Sequence, residues 1–539
     1  MQQLRYTRMK KIILLLVVFP VVVFAQPAKV LDIEKDEKWF GGAVNEAHKM
    51  PFKNGYAINL YGDNKGNQTS PLFLSSTGRY IWSEEPFEFT LKDGKIILSK
   101  ALGEIEIGRS GTTLAQSFKG VSHQFFQAAG ILPDTLLFSK PQYNTWIELV
   151  YNQNQDDILK YAHSIITNGF PPGVLMIDDN WANDYGNFKF RLEKFQDAKK
   201  MIEELHGMGF KVMLWISPFI SPDSEVFREL RSKKFLLLDN NGDTTLSWKN
   251  AEKPAIINWW NGFSALMDFT NPEAVNWFNK ELDRLVKSYG VDGFKFDGGD
   301  MEYYPSNIVS YKKVSVNKHS ELWGLLGLKY PLNEYRAMWK MGGQPLVERL
   351  RDKEHSWEDL KKLIPHMIIA GLLGYQFTCP DMIGGGEFES FIGRDKLDEE
   401  LVVRSAQCSA LMPMMQFSVA PWRILSRKNL DAVKKAVGLR MQYTPYILEM
   451  AKASAKSGEP IVRNLEYMFP NQGYAAVQDQ FMLGSKYMIA PVLERTNQRK
   501  ILFPKGLWMD EYGKLTKGPS VQDVTVPIDR LPVFELVKK

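Results

Sequence analysis

Three apolar segments of the sequence are each followed by aspartates. These aspartates are Asp178 and Asp179, Asp297 and Asp300, and Asp381. Carboxyl groups at such positions can act as nucleophiles, as general acids or bases, or as acceptors for substrate hydroxyls. A single aspartate after a strand can equally cap the helix that follows it. Three clusters of this kind favour a shared acid–base site over three separate helix caps.

Asp297 has the surroundings expected of an ionised carboxylate. Lys295 comes two residues before it on a predicted strand, so both side chains point to the same face, and the cation favours the charged form of the carboxylate. Cleavage of a glycosidic bond needs such a carboxylate and a second, protonated carboxyl group. Lys295 could instead form a Schiff base, but nothing else in the sequence points to an aldolase.

The elements that must position these residues change character along the chain. Residues 26–140 form short alternating runs broken by Gly, Asn and Asp, which predict an N-terminal β-sandwich. From residue 141 to residue 453, strand-like runs alternate with helical segments. The strands are expected at 173–177, 211–216, 293–296 and 373–377, of which the first, third and last would be the second, fourth and sixth of the series, and the helices are expected at 197–208, 272–289, 357–369 and 428–453.

This alternation predicts parallel strands joined by right-handed crossovers. The α/β region has the length of a (β/α)8 TIM barrel with insertions, in which the aspartates would meet at the carboxyl ends of the strands. A doubly wound open sheet is the alternative, but no G-x-G-x-x-G motif follows an early strand. Short strands and turns return over residues 454–539, which predicts a small C-terminal β-sandwich.

Composition and the N-terminus bound the location and the partners. The chain has 539 residues and a net charge of +5 without a long basic run after the N-terminus, so a nucleic-acid partner is not expected. Arg8, Lys10 and Lys11 precede an apolar stretch that ends in Val23-Phe24-Ala25, which predicts a signal peptide over residues 1–25 and export to the periplasm or the medium. Later apolar segments are too short or too charged to predict stable membrane insertion. The oligomeric state is left open.

The sequence resembles glycoside hydrolase family 31 over nearly its whole length after the predicted signal peptide. The resemblance is carried by residues 177–190, by 209–219, by 267–274 before the nucleophile strand, and by 484–504 near the C-terminus. It implies that Asp297, in Gly293-Phe294-Lys295-Phe296-Asp297, is the nucleophile of a retaining reaction that uses no metal and no organic cofactor.

The resemblance implies a less direct position for the acid/base. In the family this aspartate lies in a Gly-Asp-Asn segment with a Trp five residues beyond, and here Asp352 precedes Trp357 at that spacing, without the flanking Gly and Asn. Asp352 could instead cap a helix or pair with Arg349 or Arg351. The substitutes for the acid/base are Glu354 and Glu348.

Residues around the reacting sugar also carry over by position. The expected substrate-binding residues are Asp178, Asp179, Trp181, Trp215, Lys295, Asp300, Arg349 and Asp381. Among them the three aspartates 178, 179 and 381 would accept hydrogen bonds from hydroxyls, and the two tryptophans would form apolar walls. Ordinary core packing remains the alternative for each tryptophan.

Departures from the family pattern bear on specificity. A segment with a sugar-binding His is replaced by Gln416-Phe417-Ser418. The pair Asp178-Asp179, residues 295–300 and residues 39–43 are instead similar to the α-galactosidase branch, which includes the myogenesis-regulating glycosidase. The resemblance therefore implies an exo-acting α-galactosidase, with an α-glucosidase, a glycosyl transferase of the same mechanism, or a non-catalytic carbohydrate-binding protein as alternatives. An oligosaccharide or glycoside is the expected partner.

Overall fold

The computed structural model describes residues 27–393 and 397–539. The predicted signal peptide, residues 1–25, lies outside the described residues. Among those that are described, no helix combines the length and the apolar character needed to cross a membrane. Cys379 and Cys408 are both buried and free.

Two four-stranded antiparallel sheets form the N-terminal part of the fold. One contains Lys29–Asp32, Ala57–Asn59, Glu88–Lys92 and Lys95–Ser99, and the other contains Trp39–Ala43, Thr69–Ser75, Arg79–Ser83 and Ile105–Arg109. The rings of Phe73 and Phe89, one from each sheet, stack at 4.0 Å. Helices Leu114–Phe125 and Leu136–Ser139 follow within the segment predicted to be β.

Eight short parallel strands form a nearly closed barrel, which confirms the predicted (β/α)8 fold. We number them β1 (Gln142–Asn144), β2 (Val174–Ile177), β3 (Lys211–Ile216), β4 (Gly293–Phe296), β5 (Asn333–Tyr335), β6 (Glu348–Arg349), β7 (Thr378–Cys379) and β8 (Gln416–Phe417). Each strand from β1 to β6 pairs in parallel with the next, and β8 pairs with β1.

The structure corrects one part of the predicted strand order. The strand expected at 373–377 is observed at Thr378–Cys379, and it is the seventh barrel strand instead of the sixth. Strands β5 and β6 are only three and two residues long and contain Asn, Glu and Arg, so they lack the apolar run that marks a buried strand in a sequence.

Helices cover the outside of the barrel, and capping residues mark where they begin and end. They are Trp146–Leu149, Gln155–Thr167, Ala198–Gly207, Glu225–Ser232, Pro272–Tyr289, Val316–Leu326, Trp357–Leu372, Glu399–Ala410, Pro421–Ile424 and Arg427–Ser457. In Pro272–Tyr289 the side chain of Asn271 accepts a hydrogen bond from the N–H of Glu273, and Gly290 ends the helix at a φ of 82°. The four helices predicted over 197–208, 272–289, 357–369 and 428–453 correspond to observed helices.

Insertions at the carboxyl ends of the strands build the walls above the barrel. A hairpin of Ala182–Asp184 and Asn187–Phe190 follows β2. After β3, strands Phe219–Ile220, Ile256–Trp259 and Gly262–Leu266 form a small antiparallel sheet, and Leu238–Asp239 pairs with Ile308–Val309. Short 3-10 helices lie at Val44–Lys49, Met301–Tyr303, Gly327–Lys329 and Phe388–Ser390.

A six-stranded sheet forms the C-terminal part of the chain. Its strands are Val462–Arg463, Phe481–Leu483, Tyr487–Ile489, Gln498–Asp510, Leu515–Thr525 and Val533–Lys538, and helix Leu465–Met468 lies after the first. Trp508 and Phe534 belong to a hydrophobic cluster of this region that is separate from the main core.

Candidate active site

A cleft of about 740 Å³ opens at the carboxyl ends of the barrel strands. The residues on the barrel strands, or in the loops that follow them, that form the base of the cleft are Asp178, Asp179, Trp215, Lys295, Asp297, Arg336 and Asp352. Asn45, Asp63, Lys65 and Gly66 of the N-terminal region also line it, so the cleft is built by two parts of the fold. Within residues 27–393 and 397–539, no group of three or more His, Cys, Asp or Glu is arranged to hold a metal ion.

Asp297 lies at the end of β4 and is buried at the base of this cleft. Trp215 Nε1 donates to its Oδ2 at 2.9 Å, and Arg336 Nε donates to its Oδ1 at 2.7 Å. Burial alone would raise the pKa of Asp297, but the charges of Arg336 and Lys295 outweigh burial and hold that pKa below its usual range. Asp297 is therefore ionised, and both of its oxygens are held by hydrogen bonds.

Lys295 and Asp178 form an ion pair beside Asp297. Lys295 Nζ donates to Asp178 Oδ2 at 2.7 Å and lies 3.9 Å from Asp297 Oδ2. Burial lowers the pKa of Lys295, but Asp178 and Asp297 offset this effect, and the pKa is raised. Lys295 thus stays charged, which favours an electrostatic role over Schiff-base formation.

Asp179 lies next to this pair and faces a different set of partners. Its Oδ2 accepts hydrogen bonds from Asn261 Nδ2 at 2.7 Å and from the Tyr185 hydroxyl at 3.3 Å. Its Oδ1 is buried and has no hydrogen-bond partner in the described part of the chain. Burial and the charge of Asp178 raise the pKa of Asp179 to about 7.

Asp352 lies on the same cleft as Asp297 but is far more accessible, with 33% of its side-chain surface exposed. The buried Arg349 donates from one terminal nitrogen to Asp352 Oδ1 at 2.7 Å and to Asp381 Oδ1 at 2.9 Å. A Cβ at Gly386 would lie only 2.6 Å from Asp352 Oδ1, so the chain passes this carboxyl closely without a side chain. Asp352 is thereby fixed in orientation and open to solvent, as an acid/base must be.

Four predicted substrate-binding residues lie behind the cleft wall and are almost fully buried: Trp181, Asp300, Arg349 and Asp381. Trp181 Nε1 donates to the carbonyl of Trp215 at 2.7 Å, and Asp300 accepts two hydrogen bonds from Arg336. Asp381 Oδ2 accepts from the N–H groups of Lys353 and Gly386. In this structure these residues hold the cleft-lining side chains in place.

The two substitutes for Asp352 differ in position. Glu348 is buried and accepts a hydrogen bond from Gln68 at 2.8 Å, away from the cleft. Glu354 lines the cleft and accepts a hydrogen bond from Ser390. Only Glu354 therefore shares the cleft with Asp352 and Asp297.

Aromatic side chains line the outer cleft on two sides. Trp146, Tyr151 and Phe388 contact one another, with Trp146 and Phe388 centroids 5.2 Å apart. Trp260 lies over Arg336, with the guanidinium carbon 5.0 Å from the ring centroid. Aromatic faces with carboxylates between them are suited to the apolar faces and hydroxyls of a sugar.

Comparison with known proteins agrees with this geometry. The model of the glycosyl hydrolases family 31 TIM-barrel domain matches residues 137–353 and 350–450, and the family 31 C-terminal domain matches residues 458–536. The chain belongs to glycoside hydrolase family 31. The resemblance drawn from the sequence is therefore confirmed.

The relatives of this chain are named for different activities. The mouse myogenesis-regulating glycosidase is 32% identical over 433 residues, which are 78% of this chain and 59% of the relative. An α-xylosidase of Emericella nidulans is 24% identical over 550 residues, which are 94% of this chain and 66% of the relative. The chain spans between half and two thirds of the length of such relatives. The Flavobacterium johnsoniae family 31 dextranase solved with glucose shares the fold, with a TM-score of 0.82, 19% identity, and coverage of 94% of this chain and 66% of the dextranase.

The sequence did not reveal Arg336. Its guanidinium lies 2.7 Å from Asp297, closer than the 3.9 Å between Lys295 and Asp297. Arg336 follows β5 directly, just as Asp297 follows β4. The position after a barrel strand was a usable signal, but β5 is too short and polar to be recognised. The hairpin residue Asn261 was missed because its loop carries no motif.

Replacing Arg336 by Gln tests its effect on Asp297. Loss of the cation is expected to raise the pKa of Asp297, so that a smaller fraction is ionised at acidic pH and the acid limb of the kcat/KM profile moves to higher pH. We expect kcat/KM at neutral pH to fall by about 10²-fold. The measurement is a pH profile with an aryl α-glycoside. Arg351→Gln, which changes another cleft arginine, should leave the acid limb in place.

Proposed function

We propose that this protein is a retaining, exo-acting α-glycoside hydrolase that prefers α-galactosides. The observation that carries the proposal is that a buried, ionised Asp297 and a partly exposed Asp352 line one cleft. Two carboxyl groups in such different surroundings are suited to the two roles that glycoside cleavage requires.

The reaction proceeds in two displacements. Asp297 attacks the anomeric carbon while a proton passes from Asp352 to the glycosidic oxygen, and the bond between that carbon and that oxygen breaks. The sugar is then held as an ester on Asp297. A water molecule gives a proton to Asp352 and attacks the anomeric carbon, which breaks the ester and releases the sugar with its original configuration.

Neighbouring residues lower the energy of these steps. Arg336, Lys295 and Trp215 keep the Asp297 carboxylate charged and oriented before attack. Arg349 holds the Asp352 carboxyl at the exposed side of the cleft, where a leaving group and then water can reach it. The catalytic groups are thus positioned before substrate binds.

Preference for galactose is supported by the pair Asp178-Asp179, which places two buried carboxylates at the base of the cleft. The alternative is an α-glucosidase or α-xylosidase, activities for which several relatives are named. These alternatives differ in the O4 configuration or in the presence of C6, which the base of the cleft would contact.

A panel of substrates with one leaving group tests the proposal. The purified protein should release p-nitrophenol from the α-galactoside with a kcat/KM about 10-fold or more above that of the α-glucoside and the α-xyloside. The β-galactoside should not react, because its leaving group lies on the face from which Asp297 attacks. A faster α-glucoside would favour the alternative specificity, and release from none of the α-glycosides would contradict a hydrolase.

A further inference from the structure

A second cavity of about 100 Å³ lies beside the cleft. Its lining includes Trp181, Tyr185 and Ser217, and it shares Asp179 and Trp215 with the main cleft. The two cavities are thus separated by a thin wall near the base, on the side away from Asp352. Asp179 and Tyr185 of this wall have no part in the mechanism above.

Hydrogen bonds from three different loops hold the wall together. Asn261 Nδ2 donates to Asp179 Oδ2 at 2.7 Å and to the Tyr185 hydroxyl at 2.8 Å. The Tyr151 hydroxyl donates to Asn261 Oδ1 at 2.8 Å. Tyr151 follows β1, Tyr185 lies in the hairpin after β2, and Asn261 lies at the tip of the hairpin after β3. One asparagine in the loop after β3 therefore bonds to side chains from the loops after β1 and β2.

Packing keeps Tyr185 in the wall. Its ring contacts Trp215 with centroids 5.9 Å apart and Trp259 with centroids 4.8 Å apart. Trp215 in turn donates to Asp297, so the wall is continuous with the side chains that orient the nucleophile. A wall with both packed rings and charge-assisted hydrogen bonds is held in a defined place.

The wall lies where the far side of a bound sugar must be. Asp297 and Asp352 act on the anomeric carbon, and the aglycone leaves towards the exposed Asp352. C4 lies across the ring from the anomeric carbon, and C5, which carries the C6 arm, lies next to C4, so O4 and C6 point away from the aglycone. Asp179 follows β2 and Asp352 follows β6, four strands apart in the eight-stranded barrel, so Asp179 lies on the side of the cleft away from Asp352.

We infer that Asp179, Tyr185 and Asn261 form a specificity-determining partition that closes the glycone end of the cleft and excludes terminal sugars substituted at O4 or O6. The inference rests on the proposed glycosidase function and assigns the exo mode of action to named residues. The cavity behind the partition is a latent extension of the site. Its volume is about three times the roughly 30 Å³ that a water molecule occupies in the liquid, so it can hold a methyl ether once the wall is opened.

The experiment measures kcat/KM for an aryl α-glycoside that the wild-type protein cleaves and for its 4-O-methyl and 6-O-methyl ethers. The wild-type protein should cleave at least one ether about 10²-fold more slowly than the parent glycoside. Tyr185→Ala should raise the ratio of that ether to the parent by about 10-fold or more, because it joins the two cavities. Asn261→Ala should raise the same ratio by a smaller factor, because it removes the hydrogen bonds and leaves the ring.

A matched control and a second measurement distinguish a loss of the partition from a general loss of structure. Phe263→Ala changes an exposed residue of the same hairpin and should leave all ratios unchanged. Asn261→Ala should also move any titration of Asp179 in the kcat/KM profile to higher pH, because the hydrogen bond from Asn261 lowers the pKa of Asp179, whereas Asp178 and Asp297 raise it. Asn261→Ala carries the test if Tyr185→Ala does not fold.

Each outcome decides for or against the partition. The inference is overturned if the wild-type protein cleaves both ethers as fast as the parent, or if the ratios stay unchanged in the Tyr185 and Asn261 variants while the parent is still cleaved. The more responsive ether identifies whether O4 or O6 faces the wall. Failure of the wild-type protein to cleave any α-glycoside would instead remove the proposed function, and the partition with it.

Discussion

Replacing Asp297 by Asn is expected to lower kcat for every α-glycoside by about 10⁴-fold or more. The amide cannot form the glycosyl ester, so the double displacement loses its nucleophile. A 10⁴-fold loss corresponds to about 5.4 kcal/mol in the activation free energy. The measurement is the initial rate with an aryl α-galactoside at a saturating concentration.

The fold should survive this substitution because each cation near Asp297 keeps another partner. Lys295 retains Asp178, and Arg336 retains Asp300. Thermal unfolding of the variant is therefore expected to stay cooperative. Asp431→Asn, which changes an exposed aspartate on helix Arg427–Ser457, controls for the substitution itself and should keep full activity.

Two chemical tests separate a nucleophile from a residue that only binds sugar. In Asp297→Ala, azide should enter the vacated space and attack the anomeric carbon, and the product should be the β-glycosyl azide. In the wild-type protein, a slowly hydrolysed glycosyl fluoride should label Asp297 covalently. Sugar affinity without labelling would favour the non-catalytic alternative, and full activity of Asp297→Asn would end the assignment.

Replacing Asp352 by Ala is expected to give losses that depend on the leaving group. For alkyl and sugar leaving groups, which need a proton to depart, we expect kcat/KM to fall by about 10³-fold. For a dinitrophenyl leaving group, which departs without a proton, kcat/KM should change little, while kcat falls because water no longer has a base. The measurement is a series of glycosides that differ only in the aglycone.

Glu354 supplies a matched control for Asp352. It lines the same cleft and lies two residues along the chain. Glu354→Gln should reduce kcat/KM for all substrates by a similar, small factor. Azide should restore turnover of Asp352→Ala and give the α-glycosyl azide. If the dependence on leaving group appeared in Glu354→Gln and not in Asp352→Ala, the acid/base role would move to Glu354.

The parts of the fold that followed from the sequence are those with long apolar runs. Strands β2, β3 and β4 contain four or five buried residues each, and helix Pro272–Tyr289 has its cap residues in place. The short strands β5 and β6 owe their place in the barrel to their parallel neighbours. The local sequence could not predict these two strands, because segments of two or three residues that contain Asn, Glu and Arg have little strand preference of their own.

The same distinction applies to the site. Asp297, Lys295, Asp178 and Asp179 follow or lie on recognisable strands, and all four line the cleft. Asp300 and Asp381 also follow strands, but they turn inward to hold Arg336 and Arg349. Sequence position identified which residues are near the mouth of the barrel. The direction in which each side chain points depended on charges supplied by other strands.

The sequence by itself determined the family, the barrel and the identity of its main carboxylates, because periodic apolar runs and motifs are local properties of a chain. Tertiary structure alone decided that Arg336 contacts Asp297, that Arg349 joins Asp352 to Asp381, and that Asn261 ties three loops at the base of the cleft. These pairs are separated by between 3 and 110 positions, and most come from different strands or insertions. Their contacts exist only after the barrel closes and burial makes each charge require a partner.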